Sequence, residues 1–541
     1  MINTKTKNKL KNNKDIWCST TVGLIVSLGL FPYGAHAIGD TPSFPTSNPE
    51  NMTYLEEMGK RLFFTEISVN RNQSCASCHT GGTGGTNGVS EVNLGQVAVT
   101  GSDGFSVGSL KPPTNKYVQF LDEEKNVTGL ANFEMCSVPF PPFSVPCGGA
   151  FWNGRATGDL LEQQVDVFAG IDSKYYDMYS KYLGPMADQA HASPFINPVE
   201  QALPNMYKVC KQVKQTLWGP QLYQYAWGKK LRCSTDSDVQ QAFGRFAVSL
   251  ASWQMSSDNN PFDSKRDIAL ENDADGAFPL DDFSDLENEG HDIFYGFNGR
   301  CFFCHVSDND PDGTAKFQRY TDDRYFNIGV PRNHEIPEDP EPNEGVFALT
   351  GAFGNLGQHK VPTLRNVDKR PHAGFSKAYT HNGWFKTLEQ LVHFYNSSGL
   401  IDDPAAIAAC NLATNDAERM AASTACFFEK TRCVGVNVTV EEAMENNCWP
   451  DPEFDHNIAT FAVGDLKLNE HEESALVAYL ATLSDTSEAK SPSQYMAEMY
   501  KETRLKHQSE DDSEYEAPAP VHTVEEPVNT RHERPTFSRR R

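Results

Sequence analysis

The chain has 541 residues, with 47 basic against 72 acidic side chains and a formal charge of −25. A surface of that sign disfavours nucleic acid and anionic membrane as partners, and suits a basic one such as a small electron-carrying protein with a lysine-rich face. The length allows two or three domains.

The N-terminus reads as a secretory leader over residues 1–37. Lys5, Lys7, Lys9, Lys11 and Lys14 form a positive stretch, TTVGLIVSLGLF follows, and Ala35-His36-Ala37 is a small-x-small cleavage site. The apolar run is too short to span a bilayer and ends at Pro32 and Gly34. Cys18 precedes that run and is not a lipoprotein cysteine. No later segment is apolar enough to span, so the mature chain is expected to be periplasmic or otherwise exported, with no membrane span.

Leu55, Met58, Leu62 and Phe63 recur at helical spacing, the apolar stripe of a packed helix. Cys75, Cys78 and His79 follow as C-x-x-C-H, the attachment pattern of a c-type haem, with His79 as an axial iron ligand. A second copy stands at Cys301, Cys304 and His305. The segments before the two motifs resemble each other. EEMGKRLFFTEISVNRNQSCASCH and ENEGHDIFYGFNGRCFFCH both run through acidic helix formers and G-x-x-[L/I]-F into the motif. That is an internal duplication of one haem-binding unit. Between them a helical pattern runs from Phe243 to Trp253 and breaks over Ser256–Pro261, which places a domain boundary near 260. NEHEESALVAYLATLSD forms a last helix and closes the folded part near Asp485. The expected layout is a domain over 38–260, a second over 261–485, and a charged, disordered tail over 486–541. The expected class is mainly α: two cytochrome c-type haem domains with long irregular loops.

Of 13 cysteines, one lies in the leader and four in the haem motifs. The remaining eight fit four disulfides in an oxidising compartment. Local pairs are the expectation: Cys136–Cys147, Cys210–Cys233, Cys410–Cys426 and Cys433–Cys448. The last four cysteines could equally be crossed.

Two covalently bound haems leave the activity open. An electron carrier has both faces of each iron occupied, whereas an enzyme leaves one face free. After His79 there is no Met until Met135 and no His until His191.

Several stretches together resemble the bacterial di-haem cytochrome c peroxidase family, which includes MauG. They are GKRLFF…SCASCH, FWNGRATGDLLEQQ, INPVEQ, SSDNNPFD, TDDRYFNIGVPRN and HKVPTLRNV…YTHNGWFKTLEQLVHFYN, and the resemblance covers about Leu55 to Asp485. It implies a peroxidatic N-terminal haem and an electron-transfer C-terminal haem. Ordinary members close the first iron with a His from the loop after the first motif, but Thr80–Thr114 holds none. The first haem is therefore expected to be open, as in the MauG-like branch, with His191 of an inserted segment as the rescue ligand. The resemblance places Tyr395, fourteen residues after His381, where ordinary members carry the Met ligand of the second haem. It implies Glu200 as the distal acid/base, followed by Gln201 where Met is usual. Gln163 or Gln164 would match a family glutamine, and Trp152 an inter-haem relay. Arg155 and Arg365 are candidates to pair with propionates. Lys111 replaces an Asn that binds calcium in many members, which sets calcium in question. The implied function is an exported peroxidase using hydrogen peroxide, with electrons from a small donor protein. The alternative is a MauG-like maturation enzyme that oxidises Trp or Tyr of a partner protein through a high-valent di-haem state. A non-catalytic electron-transfer cytochrome is the third reading. The insertion over 410–452 is either a docking surface or a stapled loop.

Overall fold

The computed structural model describes residues 52–487 except 122–126, 140–141, 174–175, 192–193, 307–309, 311, 400–430 and 436. The expected leader, the Cys410–Cys426 pair, most of the 410–452 insertion and the tail beyond 487 lie outside these residues. Among the described residues, helices dominate and strands occur only as two-stranded ladders. No helix there is long and apolar enough to cross a membrane.

The helices that carry the core are α1 (Tyr54–Phe64), α2 (Pro185–His191), α3 (Met206–Gln215), α4 (Gly219–Trp227), α5 (Asp236–Gln254), α6 (Lys265–Asn272), α7 (Asp285–Tyr295), α8 (Leu388–Ser397) and α9 (Glu470–Ala481). Many start where the sequence supplies a capping box, a side-chain oxygen at the cap and an acid or amide three residues on. Thr53 with Glu56 opens α1, Thr235 with Asp238 opens α5, and Ser284 with Glu287 opens α7. Thr387 with Gln390 opens α8, and Asn469 with Glu472 opens α9.

Buried apolar residues gather in two main clusters. One runs from Met52 to Met255 and includes Leu55, Met58, Leu62 and Phe63 of α1. The other runs from Ala269 to Leu483. The duplication seen in the sequence reappears as a packing rule. α1 precedes the first C-x-x-C-H and crosses α5, while α7 precedes the second and crosses α9. At each crossing the glycine of the shared G-x-x-[L/I]-F meets the backbone of the other helix. A Cβ on Gly59 would stand 1.9 Å from the Ser249 carbonyl oxygen, and one on Gly290 would stand 2.0 Å from that of Ala475. No side chain fits, so both glycines set the approach of backbone to backbone. Gly59→Ala or Gly290→Ala should each force the helices apart and lower stability by at least about 1–3 kcal/mol, the cost of overpacking. Thermal unfolding of the single variants checks this, and an unchanged midpoint would refute it.

The short ladders staple the irregular chain. Glu134–Pro139 pairs antiparallel with Pro142–Cys147, and Cys136 bonds Cys147 within that hairpin. Tyr325–Phe326 pairs with His359–Lys360. Thr431–Arg432 runs parallel to Cys448–Trp449 beside the Cys433–Cys448 disulfide. Cys210 bonds Cys233. The three local disulfides whose cysteines are described are thus present, and the crossed alternative for Cys433 and Cys448 is removed. Among the described residues, the cysteines left free are Cys75, Cys78, Cys301 and Cys304, the four of the haem motifs.

Candidate active site

Each C-x-x-C-H folds the same way. Cys75–Ser77 and Cys301–Phe303 are single 3-10 turns, and the His79 and His305 amides donate back to the carbonyls of Cys75 and Cys301 at 3.0 and 2.9 Å. The turn brings both thiols and the imidazole of each motif to one cavity. Burial, joined by the negative charge of Glu200, pushes the Cys75 and Cys78 thiols up to about 12, so they stand there as neutral thiols.

The imidazoles are oriented from behind. His79 Nδ1 donates to the Gly85 carbonyl at 3.0 Å, and His305 Nδ1 to the Tyr320 carbonyl at 3.1 Å. Because a carbonyl only accepts, the proton sits on Nδ1 and the Nε2 lone pair is left for a metal. Burial lowers both imidazoles, His305 to about 4, which keeps them in the ligating neutral form. The residues therefore fit a c-type haem at both motifs, with Cys75, Cys78 and His79 holding one and Cys301, Cys304 and His305 the other. The glycine-rich run after His79 serves this orientation. Gly84 and Gly85 have φ of +71° and +78°, and a Cβ on either would strike Asn366 or Asn115. Their turn swings the Gly85 carbonyl onto the ring.

The first cavity holds Glu200, Gln201, Arg155 and Trp152 besides the motif. Glu200 lies in the turn after Asn197, whose amide donates to Oε1 at 2.8 Å. Burial raises the Glu200 carboxyl above its ordinary range, while Asn197 and Arg155 draw it back in part. Gln201 Nε2 reaches Cys75 Sγ at 3.5 Å, and its Oε1 is buried without a partner. Arg155 is exposed and rests on the Phe151 ring at 4.2 Å. Among the described residues, His79 is the only imidazole lining this cavity and no Met lines it. His191 is buried away from it, edge-on to Phe243 at 5.4 Å.

The second cavity holds Tyr395, carried on the last turns of α8 with Leu388, Leu391 and Val392. Burial raises its phenol above the usual value. Two further imidazoles line this cavity, but both are committed. His359 and His381 stack at 3.5 Å; His359 bonds the Gly357 carbonyl and Asn343, and His381 bonds Glu453 at 2.7 Å. The Tyr395 hydroxyl has no hydrogen-bond partner among the described residues, which leaves it the available donor atom. Trp152 and Lys111 line both cavities. The Trp152 indole N–H donates to the Lys111 carbonyl at 2.8 Å, and the Lys111 ammonium stands 5.9 Å over its ring. Burial lowers that ammonium to about 8. An ammonium cannot ligate calcium.

Two expectations are corrected. Gln163 and Gln164 are exposed and line neither cavity; Gln163 bonds Asp159. The buried Asp188 carboxylate takes the amides of Gly158, Leu160 and Leu161 at 2.6–3.0 Å and fixes the Leu160–Gln164 helix with Leu161 inward and both glutamines outward. Arg365 does line the second cavity, but its guanidinium is not free for a propionate. It makes a two-pronged pair with Asp267 at 2.7 and 2.9 Å and donates Nε to the Gln318 carbonyl. Glu453, which holds His381 and Asn382, went unread in the sequence because it arrives from beyond the 410–452 insertion.

A mainly helical chain with two Cys/Cys/His cavities joined by one tryptophan is a di-haem c-type redox protein in architecture. Residues 54–275 match the family model of di-haem cytochrome c peroxidases. The methylamine utilization protein MauG of Paracoccus denitrificans is 28% identical over 351 residues, 63% of this chain and 74% of MauG. Cytochrome-c peroxidase IdrP2 of Denitromonas iodatirespirans is 28% identical over 134 residues, 21% of this chain and 32% of that one. The solved diheme peroxidase BthA of Burkholderia thailandensis shares the fold, with a TM-score of 0.51 and 22% identity over 82% of this chain and 87% of BthA. Over these matched stretches the chain is similar to the di-haem cytochrome c peroxidases and MauG. That similarity, with the two C-x-x-C-H motifs, implies two haem c groups.

Proposed function

We propose that this chain is an exported di-haem enzyme that uses hydrogen peroxide at the His79 site without prior reduction. The observation that carries this reading is the first cavity itself. Glu200 stands in it, and among the described residues no second imidazole or thioether lines it to close the iron. Haem, when bound, supplies the iron at which peroxide is cleaved. Glu200 moves a proton from one peroxide oxygen to the other, and Arg155 at the rim favours its charged form. Trp152 lines both cavities and relays charge between them.

Tyr395 favours the MauG-like mode over ordinary peroxide disposal. A phenolate oxygen stabilises ferric and higher iron states, whereas the thioether of Met raises the potential. A His305/Tyr395 site suits the sharing of oxidising equivalents and their delivery to Trp or Tyr residues of a partner protein. It suits electron intake from a small donor protein less well.

The test is the spectrum of the resting ferric holoprotein on addition of hydrogen peroxide. The expected result is one high-spin haem that converts directly, with no reductant present. Two low-spin haems that stay inert until half-reduced would overturn the reading.

A further inference from the structure

Trp253 is a buried indole whose N–H meets a carboxylate, and the scheme above does not use it. It lies near the end of α5 and is 3% exposed. Its N–H donates to Asp258 Oδ2 at 2.8 Å. The other carboxylate oxygen of Asp258 takes the Lys60 ammonium at 3.1 Å, and the Asp258 side chain is 31% exposed. On the inner side, the Phe63 ring lies 4.5 Å from the Trp253 ring and 6.4 Å from the His79 imidazole. Phe63 also lines the first cavity. A run of three rings therefore leads from the ligand side of the first site to a carboxylate at the surface.

Trp152 offers the opposite surroundings. Its N–H meets a carbonyl oxygen, which cannot keep a proton, and the Lys111 ammonium faces its ring. Removing an electron from an indole makes its N–H strongly acidic and its ring positive. A hydrogen-bonded carboxylate takes that proton, and a nearby cation opposes that charge. Trp253 thus has at its N–H a proton acceptor that Trp152 lacks.

We propose that Trp253, with Asp258 as its proton acceptor, is a second redox-active residue that holds an oxidising equivalent on the His79 side of the first site. This rests on the peroxide-using reading above. Hydrogen peroxide takes up two electrons, and two protons from solvent, and leaves as two waters. One electron comes from the Trp253 indole, whose N–H proton passes to Asp258 Oδ2, leaving a neutral indolyl radical beside a carboxylic acid. The di-haem unit supplies the other electron. The 31% exposure of Asp258 places this equivalent within reach of the surface.

The test treats full-length holoprotein with hydrogen peroxide and no reductant, in wild type, W253F, D258N and D258E, each grown with ring-deuterated tryptophan. Freeze-quenched electron paramagnetic resonance and peptide mapping of oxygen adducts give the readout. The expected wild-type signal narrows on deuteration and is lost in W253F, and oxygen adducts map to Trp253. D258N, which keeps the packing but removes the base, should shift the signal towards the protonated radical and shorten its life; D258E should restore it. An unchanged deuterium-sensitive radical in both W253F and D258N would overturn the assignment. So would adducts confined to Trp152 or to tyrosines. A holoprotein whose haem spectrum ignores peroxide in every variant would instead overturn the peroxide-using reading, and this one with it.

Discussion

Glu200→Gln should slow the reaction of the resting holoprotein with hydrogen peroxide by about 10²–10⁴-fold, the usual contribution of one positioned acid/base group. The substitution keeps the size of the side chain and the hydrogen bond from Asn197, so the cavity should survive it. The lost function is proton transfer. Peroxide must lose a proton from the oxygen that meets the iron and gain one on the oxygen that leaves. The pH dependence gives the sharper test. Burial raises the Glu200 carboxyl, and Asn197 and Arg155 only partly offset it. The ionised form that accepts the first proton therefore becomes prevalent at a higher pH than for an ordinary carboxyl. In wild type the rate should rise with pH through this raised value, and below it the reaction should fade. In Glu200→Gln that limb should vanish and leave a flat, low rate. Arg155→Leu should move the limb further up, because the nearby positive charge is gone. Stopped-flow absorbance across pH measures all three. A Glu200→Gln protein that keeps its rate within a few-fold and its pH limb would remove Glu200 from the chemistry.

Tyr395→Met should raise the reduction potential of the second haem site by on the order of hundreds of millivolts, since axial ligands alone spread haem potentials over about 0.8 V. It exchanges an anionic oxygen donor for a thioether on an otherwise unchanged α8. Burial raises the Tyr395 phenol, so the bare cavity favours the neutral form. A bound ferric centre supplies the positive charge that draws the proton off, as a metal does for any coordinated acid. Tyr395→Phe removes the donor without replacing it and should turn the second site high-spin. In both variants the His79 site should keep its spectrum, because Tyr395 does not line the first cavity. Spectroelectrochemistry resolves the two haems. If neither signal moves in either variant, Tyr395 is a packing residue.

The same division between local and distant partners explains what the sequence displayed. α1, α5 and α9 were legible because amphipathic spacing and capping boxes are written within a few turns of chain. The duplication was legible because Gly59 and Gly290 each open a G-x-x-[L/I]-F run ahead of a C-x-x-C-H motif. The structure adds the reason for those glycines, a helix crossing that admits no Cβ. Three disulfides were legible because each closes a short loop; they span 11, 23 and 15 residues. Gln163 and Gln164 were misplaced because Asp188 orients their helix through three backbone amides from outside it. Arg365 was misread for a similar reason. A conspicuous arginine beside a cofactor cavity suggests a propionate partner, but Asp267, almost a hundred residues earlier, holds it first.

The sequence by itself determined the chemistry that short spacings can encode. Two thiols and an imidazole within five residues mark a haem attachment site, and a loop without histidine cannot supply one. Only the tertiary structure decided what meets across the chain. It turned the Gly85 carbonyl onto His79, tied His381 to Glu453, set Trp152 against both cavities, and placed the Trp253 N–H on Asp258 with Phe63 leading back to His79. Orientation, burial and the charge beside a ring depend on contacts between distant segments, and no local pattern records them.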